Sequence, residues 1–295
     1  MDKIKTSKFP YFFLIPSIFI MCLIVYYPLI KLFWFSFTDI DRAGLVSGNY
    51  NYIGLANFRD ILLGKDTVFY TVLFQTIIWT ISNVFFHFVI GLFLAVQLNK
   101  KIKFTGLYRT LLMIPWAVPT FISAFGWKFL FNGQYGFFNI ALKSIGFSEV
   151  PWLSDPFWVM VSVIIVNIWV GVPFMTVTLL GGLQNIPREL YEAADVDGAS
   201  NFNKFKNITL PLLWPVASVA VVLGIIWTFN MFNIIYLVAD SYQSISKEIL
   251  VTYAYKEAFD NWALGKASSY GILILMFLFI FSSFYFRILK KRGEM

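Results

Sequence analysis

Cysteine and histidine are almost missing from this 295-residue chain, which holds one of each, Cys22 and His87. A lone cysteine excludes an intramolecular disulfide framework, and a single histidine beside it excludes a Cys/His zinc site built within the chain. Cys22 reads as a packed apolar residue: Met21 stands where a lipidation site wants a small side chain, and the run stays apolar after it. Charge is scarce too. Asp, Glu, Lys and Arg make up 13%, about half the share of an ordinary soluble domain, which speaks against a soluble cytosolic enzyme. No G-x-x-x-x-G-K-[ST] loop occurs; Gly265-Lys266-Ala267 lacks both the spaced first glycine and the hydroxyl, so the chain has no P-loop with which to hydrolyse ATP. The acids sit in loops rather than converging, so neither a paired-carboxylate nor a Ser-His-Asp site is indicated.

Apolar and aromatic residues are what the chain has in excess. It is 59% hydrophobic and 20% aromatic, with a mean hydropathy of +0.72, more apolar surface than one core of this size can hide from water. The bilayer must solvate much of it. Stretches free of Asp, Glu, Lys and Arg and long enough to cross about 30 Å of hydrocarbon run over 9–30, 67–99, 110–127, 157–187, 207–239 and 267–286. These predict an all-α membrane protein with six transmembrane helices forming a single transmembrane domain over 1–295. The three stretches above 30 residues should each include an interfacial turn or a tilted extension. The apolar stretch after Lys128 is interrupted by Asn132-Gly133-Gln134-Tyr135-Gly136 and reads as a loop. Lys3, Lys5 and Lys8 ahead of the first run imitate a signal peptide, but the run is long and no small-residue cleavage site follows, so an uncleaved first helix is expected.

The net charge of +7 needs no nucleic acid, because basic residues beside membrane spans set orientation. Assigning loops alternately puts 14 Lys/Arg and 6 acids on one side, against 9 and 10 on the other. The first side holds both termini, the Asn99 to Arg109 turn and the Arg188 to Lys206 loop, which should all be cytoplasmic in a multi-pass protein of the cell membrane. None of the six stretches contains an acid, which weakens an ion-coupled mechanism. His87 is the one titratable group inside them, read either as an interhelical hydrogen-bond donor or as a thin ion relay.

The Arg188 to Lys206 loop carries the densest pattern. Pro187 suits the first position of a short helix, Glu189 complements its positive end, and Gly198 can take the left-handed conformation that stops it. Arg188 and Glu192, four apart, can pair on one face, and Ala193-Ala194 allow another surface to come close. The bland reading is a solvated amphipathic loop. The extended run E-A-A-x-x-D-G-A, five residues, F-x-x-I-x-L-P, from Glu192 through Pro211, resembles the signature of permease subunits of binding-protein-dependent ABC importers. Tyr11 to Pro16, Tyr27-Pro28-Leu29, Ser36-Phe37-Thr38-Asp39, Gly54-Leu55-Ala56-Asn57-Phe58, Tyr108-Arg109-Thr110-Leu111 with Pro115-Trp116, Trp152-Leu153-Ser154-Asp155-Pro156, and Tyr255 to Phe259 ahead of Gly265 are similar to its maltose and glycerol-phosphate branch, so the resemblance covers nearly the whole length. Ala239-Asp240-Ser241 departs from the Gly-Gly-Pro turn of many relatives.

The resemblance implies a short cytoplasmic coupling helix between transmembrane helices 4 and 5, seated in an ATPase cleft through Glu192, Ala193, Ala194, Asp197 and Gly198. It implies a second homologous permease subunit, two ATP-binding cassette subunits that hold the ATP, an extracytoplasmic solute-binding protein, and no cofactor in this chain. Alternating access then carries a sugar or oligosaccharide inward. Sugars are bound by aromatic stacking and planar amides, which singles out Trp227, Asn230 and Asn233 at three-residue spacing, then Asn167 and Trp169, and more weakly Gln75, Asn83 and His87. Trp34, Trp127 and Trp214 fall near span ends, where interfacial anchoring is expected. The alternative for each amide and indole is plain helix packing. A stand-alone ion-coupled or facilitative carrier is the competing function, and a membrane-embedded enzyme a third.

Overall fold

The computed structural model describes residues 12–64, 68–100, 103–239 and 245–291. Lys3, Lys5, Lys8, Tyr11, Lys101, Asp240, Ser241 and Arg292, which entered the charge and motif readings, lie outside them. The described residues are helical, with no strand among them and one isolated antiparallel bridge, Thr38 to Tyr52. The helices are α1 (Ile15–Phe35), α2 (Arg42–Ser47), α3 (Ala56–Leu62), α4 (Val68–Leu98), α5 (Thr105–Ala117), α6 (Thr120–Leu130) and α7 (Phe137–Ser144). After them come α8 (Pro156–Gln184), α9 (Arg188–Val196), α10 (Asn201–Phe229), α11 (Phe232–Val238), α12 (Leu250–Phe259) and α13 (Leu264–Lys291). Five of these are long and apolar enough to cross a membrane: α1, α4, α8, α10 and α13. The chain is a multi-pass membrane protein.

Two of the expected stretches depart from a continuous helix. Between 110 and 127 the chain forms α5 and α6, bent by 93°. Proline explains the bend, since Val118 ahead of Pro119 is driven to an extended ψ of 128° and cannot continue a helix. Between 207 and 239 the helix stops at Phe229 and resumes at Phe232. There Trp79 Nε1 donates to the Thr228 carbonyl at 2.8 Å, and carbonyls freed by a helix break at membrane depth need such a partner.

The chain divides into two compact units, one formed by the described part of Met1–Thr67 with Tyr253–Phe277, the other by Val68–Thr252 with Leu278–Met295. In the first unit the segment after α1 is tied by backbone carbonyls. Asn57 Nδ2 donates to Ser36 O at 3.0 Å and Thr38 O at 2.9 Å, Ser269 Oγ donates to Ser36 O at 3.0 Å, and Gly265 N donates to Ile40 O at 2.9 Å. A Cβ on Gly265 would overlap the Thr38 carbonyl oxygen, so this glycine is required by close approach. Asp39 accepts from Asn51 Nδ2 at 3.0 Å and Asn51 N at 2.7 Å. The side-chain bond from Asn51, with the backbone bond second, holds its carboxyl below the usual carboxylate value.

In the second unit α4 buries one face, with Thr76, Trp79, Asn83, His87, Gly91, Ala95 and Leu98 recurring every three or four residues. The face meets α8 along two glycine contacts. A Cβ on Gly91 would fall 2.7 Å from Met175 Cγ, and one on Gly171 would fall 2.8 Å from His87 Nδ1 and closer still to the rest of the ring. His87 and Gly91 thus meet Gly171 and Met175 in the same order, so α4 and α8 run parallel. Gly182 faces Leu213 and Val216 while Gly224 faces Met175, so α10 runs antiparallel to both. The C-terminal ends of α4 and α8 and the N-terminal end of α10 therefore lie together, and α9 projects from that end. At the other end Asp155 caps α8 by accepting from Phe157 N and Trp158 N, and Asn139 bonds Val150 and the Trp152 indole.

Candidate functional site

The Pro187 to Thr209 segment is where the sequence pattern and the geometry meet. Pro187 stands just ahead of α9 with an extended ψ of 134°. At the far end Gly198 takes φ 73°, Gly198 N donates to Asp195 O at 3.1 Å and Ala199 N to Ala194 O at 2.8 Å. This pair of bonds is the Schellman stop, the left-handed turn expected of Gly198. Glu192, Ala193, Asp197 and Gly198 are exposed and Ala194 is half-buried. α9 buries none of its residues fully and leaves Leu190 42% and Val196 90% exposed. For a helix flanked by two membrane spans, that apolar exposure suits an interaction site better than solvent.

The expected pairing of Arg188 with Glu192 does not form. The helix is instead held from its inner side, where Tyr191 OH meets Thr209 Oγ1 at 2.9 Å and Lys204 Nζ meets Asp195 Oδ1 at 2.6 Å. Thr209 Oγ1 also donates to Lys204 O at 3.4 Å, which leaves it to accept from the tyrosine. Sequence reasoning missed these four residues. Tyr191 and Asp195 are one turn apart on a helix, a visible signal, but Lys204 and Thr209 are five apart and share a face only because Phe205–Thr209 is a π turn.

The expected sugar-path residues fall into two groups. Trp227, Asn230 and Asn233 are exposed; Trp227 packs edge-on against Phe174 at 4.8 Å, and Phe174 in turn touches Trp116 at 6.2 Å. Asn230 caps α10 and folds its Nδ2 back onto Ile226 O at 3.0 Å, while Asn233 belongs to α11. Their common spacing is thus interrupted by the helix break. Asn167 is buried and Trp169 half-buried. His87 Nε2 donates to Asn167 O at 2.9 Å, the interhelical bond expected as one of its two readings, and Trp169 meets Trp127 edge-on at 5.8 Å. Asn83 Oδ1 and Asn167 Nδ2 are buried without a partner. Gln75, with its amide oriented to suit its surroundings, donates to Ile245 O at 3.0 Å and Glu248 O at 2.6 Å, a structural role. Among the described residues no group of three His, Cys, Asp or Glu side chains is placed to hold a metal.

Residues 87–293, which include α9 and the residues it contacts, match the family model described as binding-protein-dependent transport system inner membrane component. The chain belongs to this family. A probable ABC transporter permease protein of Brucella suis biovar 1 is 34% identical over 292 residues, covering 98% of this chain and 99% of its own length. The trehalose/maltose transport system permease protein of Thermococcus litoralis is 38% identical over 235 residues, 80% of this chain and 78% of that protein. Among solved structures, a chain from a bacterial ABC transporter involved in the import of the acidic polysaccharide alginate superposes with a TM-score of 0.84 at 23% identity, covering 98% of this chain and 97% of that one; this likeness speaks for the fold. The protein is a permease subunit of a binding-protein-dependent ABC importer, and its all-helical architecture is that of such permeases.

Proposed function

We propose that this permease carries a sugar or oligosaccharide inward by alternating access, taking it from an extracytoplasmic solute-binding protein and drawing energy from two ATP-binding cassette subunits that hold all the ATP. A second, similar permease chain completes the path. The observation that carries this reading is α9, an exposed helix with a rigid glycine stop between two membrane helices, in a chain with no nucleotide-binding loop of its own. Glu192, Ala193, Ala194, Asp197 and Gly198 form the surface that seats in the ATPase. The names of the trehalose/maltose relative and of the alginate transporter support a saccharide cargo.

On this reading both termini and α9 face the cytoplasm, as the excess of Lys and Arg on that side suggests. Because α4 and α8 run parallel, the chain between them has to return across the bilayer, which supports counting the bent pair α5 and α6 as one crossing and gives six in a single permease domain. Trp227, Asn230 and Asn233, at the break between α10 and α11, are the first candidates to touch sugar. Discontinuous membrane helices commonly present their ends to substrate. Asn167 and Trp169 belong to the wall against which α10 works.

The test is to tag the C-terminus, extract the protein from native membranes in mild detergent, and measure co-purifying subunits with ATP hydrolysis stimulated by a panel of trehalose, maltose and maltodextrins plus binding protein. A second permease and a P-loop ATPase in fixed ratio, with sugar-stimulated hydrolysis, is the expected result. A lone, ATP-inert chain from a well-preserved preparation would overturn it.

A further inference from the structure

The connection between α6 and α8, at the end of the bundle opposite α9, is built around α7 and a buried amide. Asn139 is buried on the inner side of α7. Its Oδ1 accepts from Val150 N at 3.1 Å and Trp152 Nε1 at 3.0 Å, and its Nδ2 donates to Val150 O at 3.1 Å and Gly133 O at 3.3 Å. Both polar atoms of the side chain are thus engaged. Beside it Phe138 stacks on Trp127, with ring centres 5.9 Å and planes 17° apart, and on Phe131 at 4.9 Å. A helix gripped in this way on one side has its opposite side fixed as well.

That opposite side is apolar. Phe137 and Ile140, three apart, are neighbours on one helix face. Gly146 then takes φ 84° and folds Phe147 N back onto Leu142 O at 2.9 Å, which ends the helix and leaves Ile145 and Phe147 outside it. All four of these apolar side chains are more than half exposed. The only charged residue of α7, Lys143, is paired with Glu149, so no unbalanced charge accompanies them. Large apolar side chains held outward on a rigid, neutral element call for a partner other than water. A protein that docks only in passing does not explain them, because such interfaces are no more apolar than the rest of a protein surface. The bilayer is always present, and the patch adjoins it: Phe129 in the last turn of α6 and Phe157 in the first turn of α8 are exposed in the same way. Tyr135, exposed and touching Phe129 at 5.3 Å, is of the type that gathers at membrane surfaces.

We propose that α7 and the turn to Phe147 form an interfacial element lying flat in the leaflet opposite α9, the outer one on the orientation given above. Phe137, Ile140, Ile145 and Phe147 sink into the boundary between headgroups and acyl chains, and Asn139 sets their depth relative to α6 and α8. At about 12 Å the helix is too short to cross the membrane. The element requires α8 to span the bilayer; it does not depend on which solute the permease carries.

For the test, the complete transporter carries a spin label at position 140 or 147 in a Cys22→Ser background, Cys22 being the chain's one cysteine. It is reconstituted in liposomes of phosphatidylcholine and phosphatidylglycerol without binding protein. Collision of the label with oxygen, which concentrates in lipid, is compared with collision with a nickel chelate, which stays in water. Oxygen should dominate at both positions and place the labels about 5–10 Å into the headgroup and acyl boundary, and adding the binding protein should change neither value. Dominant nickel collision overturns the proposal, because the face is then in water. Shielding from both reagents overturns it too, because the face is then covered by the second permease or another protein, and so does loss of oxygen collision when the binding protein is added. Unlabelled protein gives an independent measure: in lipid nanodiscs Ile140→Glu should lower the thermal midpoint by several degrees and Ile140→Leu should leave it unchanged. A midpoint indifferent to the glutamate refutes insertion, and none of these results bears on the saccharide reading.

Discussion

Substitutions at Gly198 separate the demands of the turn from those of a docking partner. The residue sits at φ 73°, and a Cβ built there meets nothing within 4 Å, so within this chain every cost of replacing it is conformational. An L-residue with a Cβ pays roughly 1–2 kcal/mol in the left-handed region, so Gly198→Ala should weaken the Schellman stop by about 1 kcal/mol, a fivefold shift toward an open turn. Gly198→Asn should cost less, because asparagine visits this region readily. Gly198→Pro adds three penalties: φ locked near −65°, loss of the Gly198 N to Asp195 O bond, and an extended requirement on Asp197, which now has ψ −1°. The assay is the initial rate of ATP-dependent sugar uptake in proteoliposomes, normalised to inserted protein, and the expected order is Gly, Asn, Ala, with Pro inactive. If Asn and Pro are equally damaging, the glycine is required by a surface pressed against it, and the conformational argument fails.

Gly171→Ala places a methyl group into the His87 ring and should lower stability by about 1–3 kcal/mol, read as thermal unfolding in detergent; His87→Ala in the same chain should recover part of the loss, and no recovery would mean the strain lies elsewhere. The Asp39 carboxyl should titrate below the usual carboxylate value in carbon NMR. Because its folded pKa is depressed, its contribution to the loop is present above the ordinary carboxylate range and disappears as pH falls through the lowered value; Asn51→Ala should move the midpoint part of the way back, since the backbone donor remains. An unchanged midpoint would assign the shift to another source.

The sequence was most informative where local chemistry decides. Hydropathy located the long helices because lipid exposure and helix burial both demand apolar residues, and Pro187 and Gly198 marked α9 because their backbone constraints act without help from the rest of the fold. The bend at Pro119 was legible in principle, but charge-free length alone is blind to proline. The break at Asn230 was hidden because three-residue spacing presumes a continuous helix, and its stabilising donor, Trp79, is 149 positions away in the chain. The contacts of Tyr191 with Thr209 and of Asp195 with Lys204 were hidden for a similar reason: the π turn over Phe205–Thr209 shifts the register by one residue. His87 could be read as an interhelical donor, yet its acceptor, Asn167, follows from the parallel packing of two helices that no local pattern reveals.

That parallel packing also keys the helices of the bundle to one another. His87 nested on Gly171 and Met175 on Gly91, one turn apart and in the same order, act like two teeth of a rack: moving α4 past α8 by a single residue would drive the imidazole into a neighbouring side chain where now there is only glycine. The pair therefore fixes the register of α4 on α8. Gly182, against Leu213 and Val216, notches α10 onto α8 in the same way, so a methyl group added at any of these glycines has to slide one helix along another.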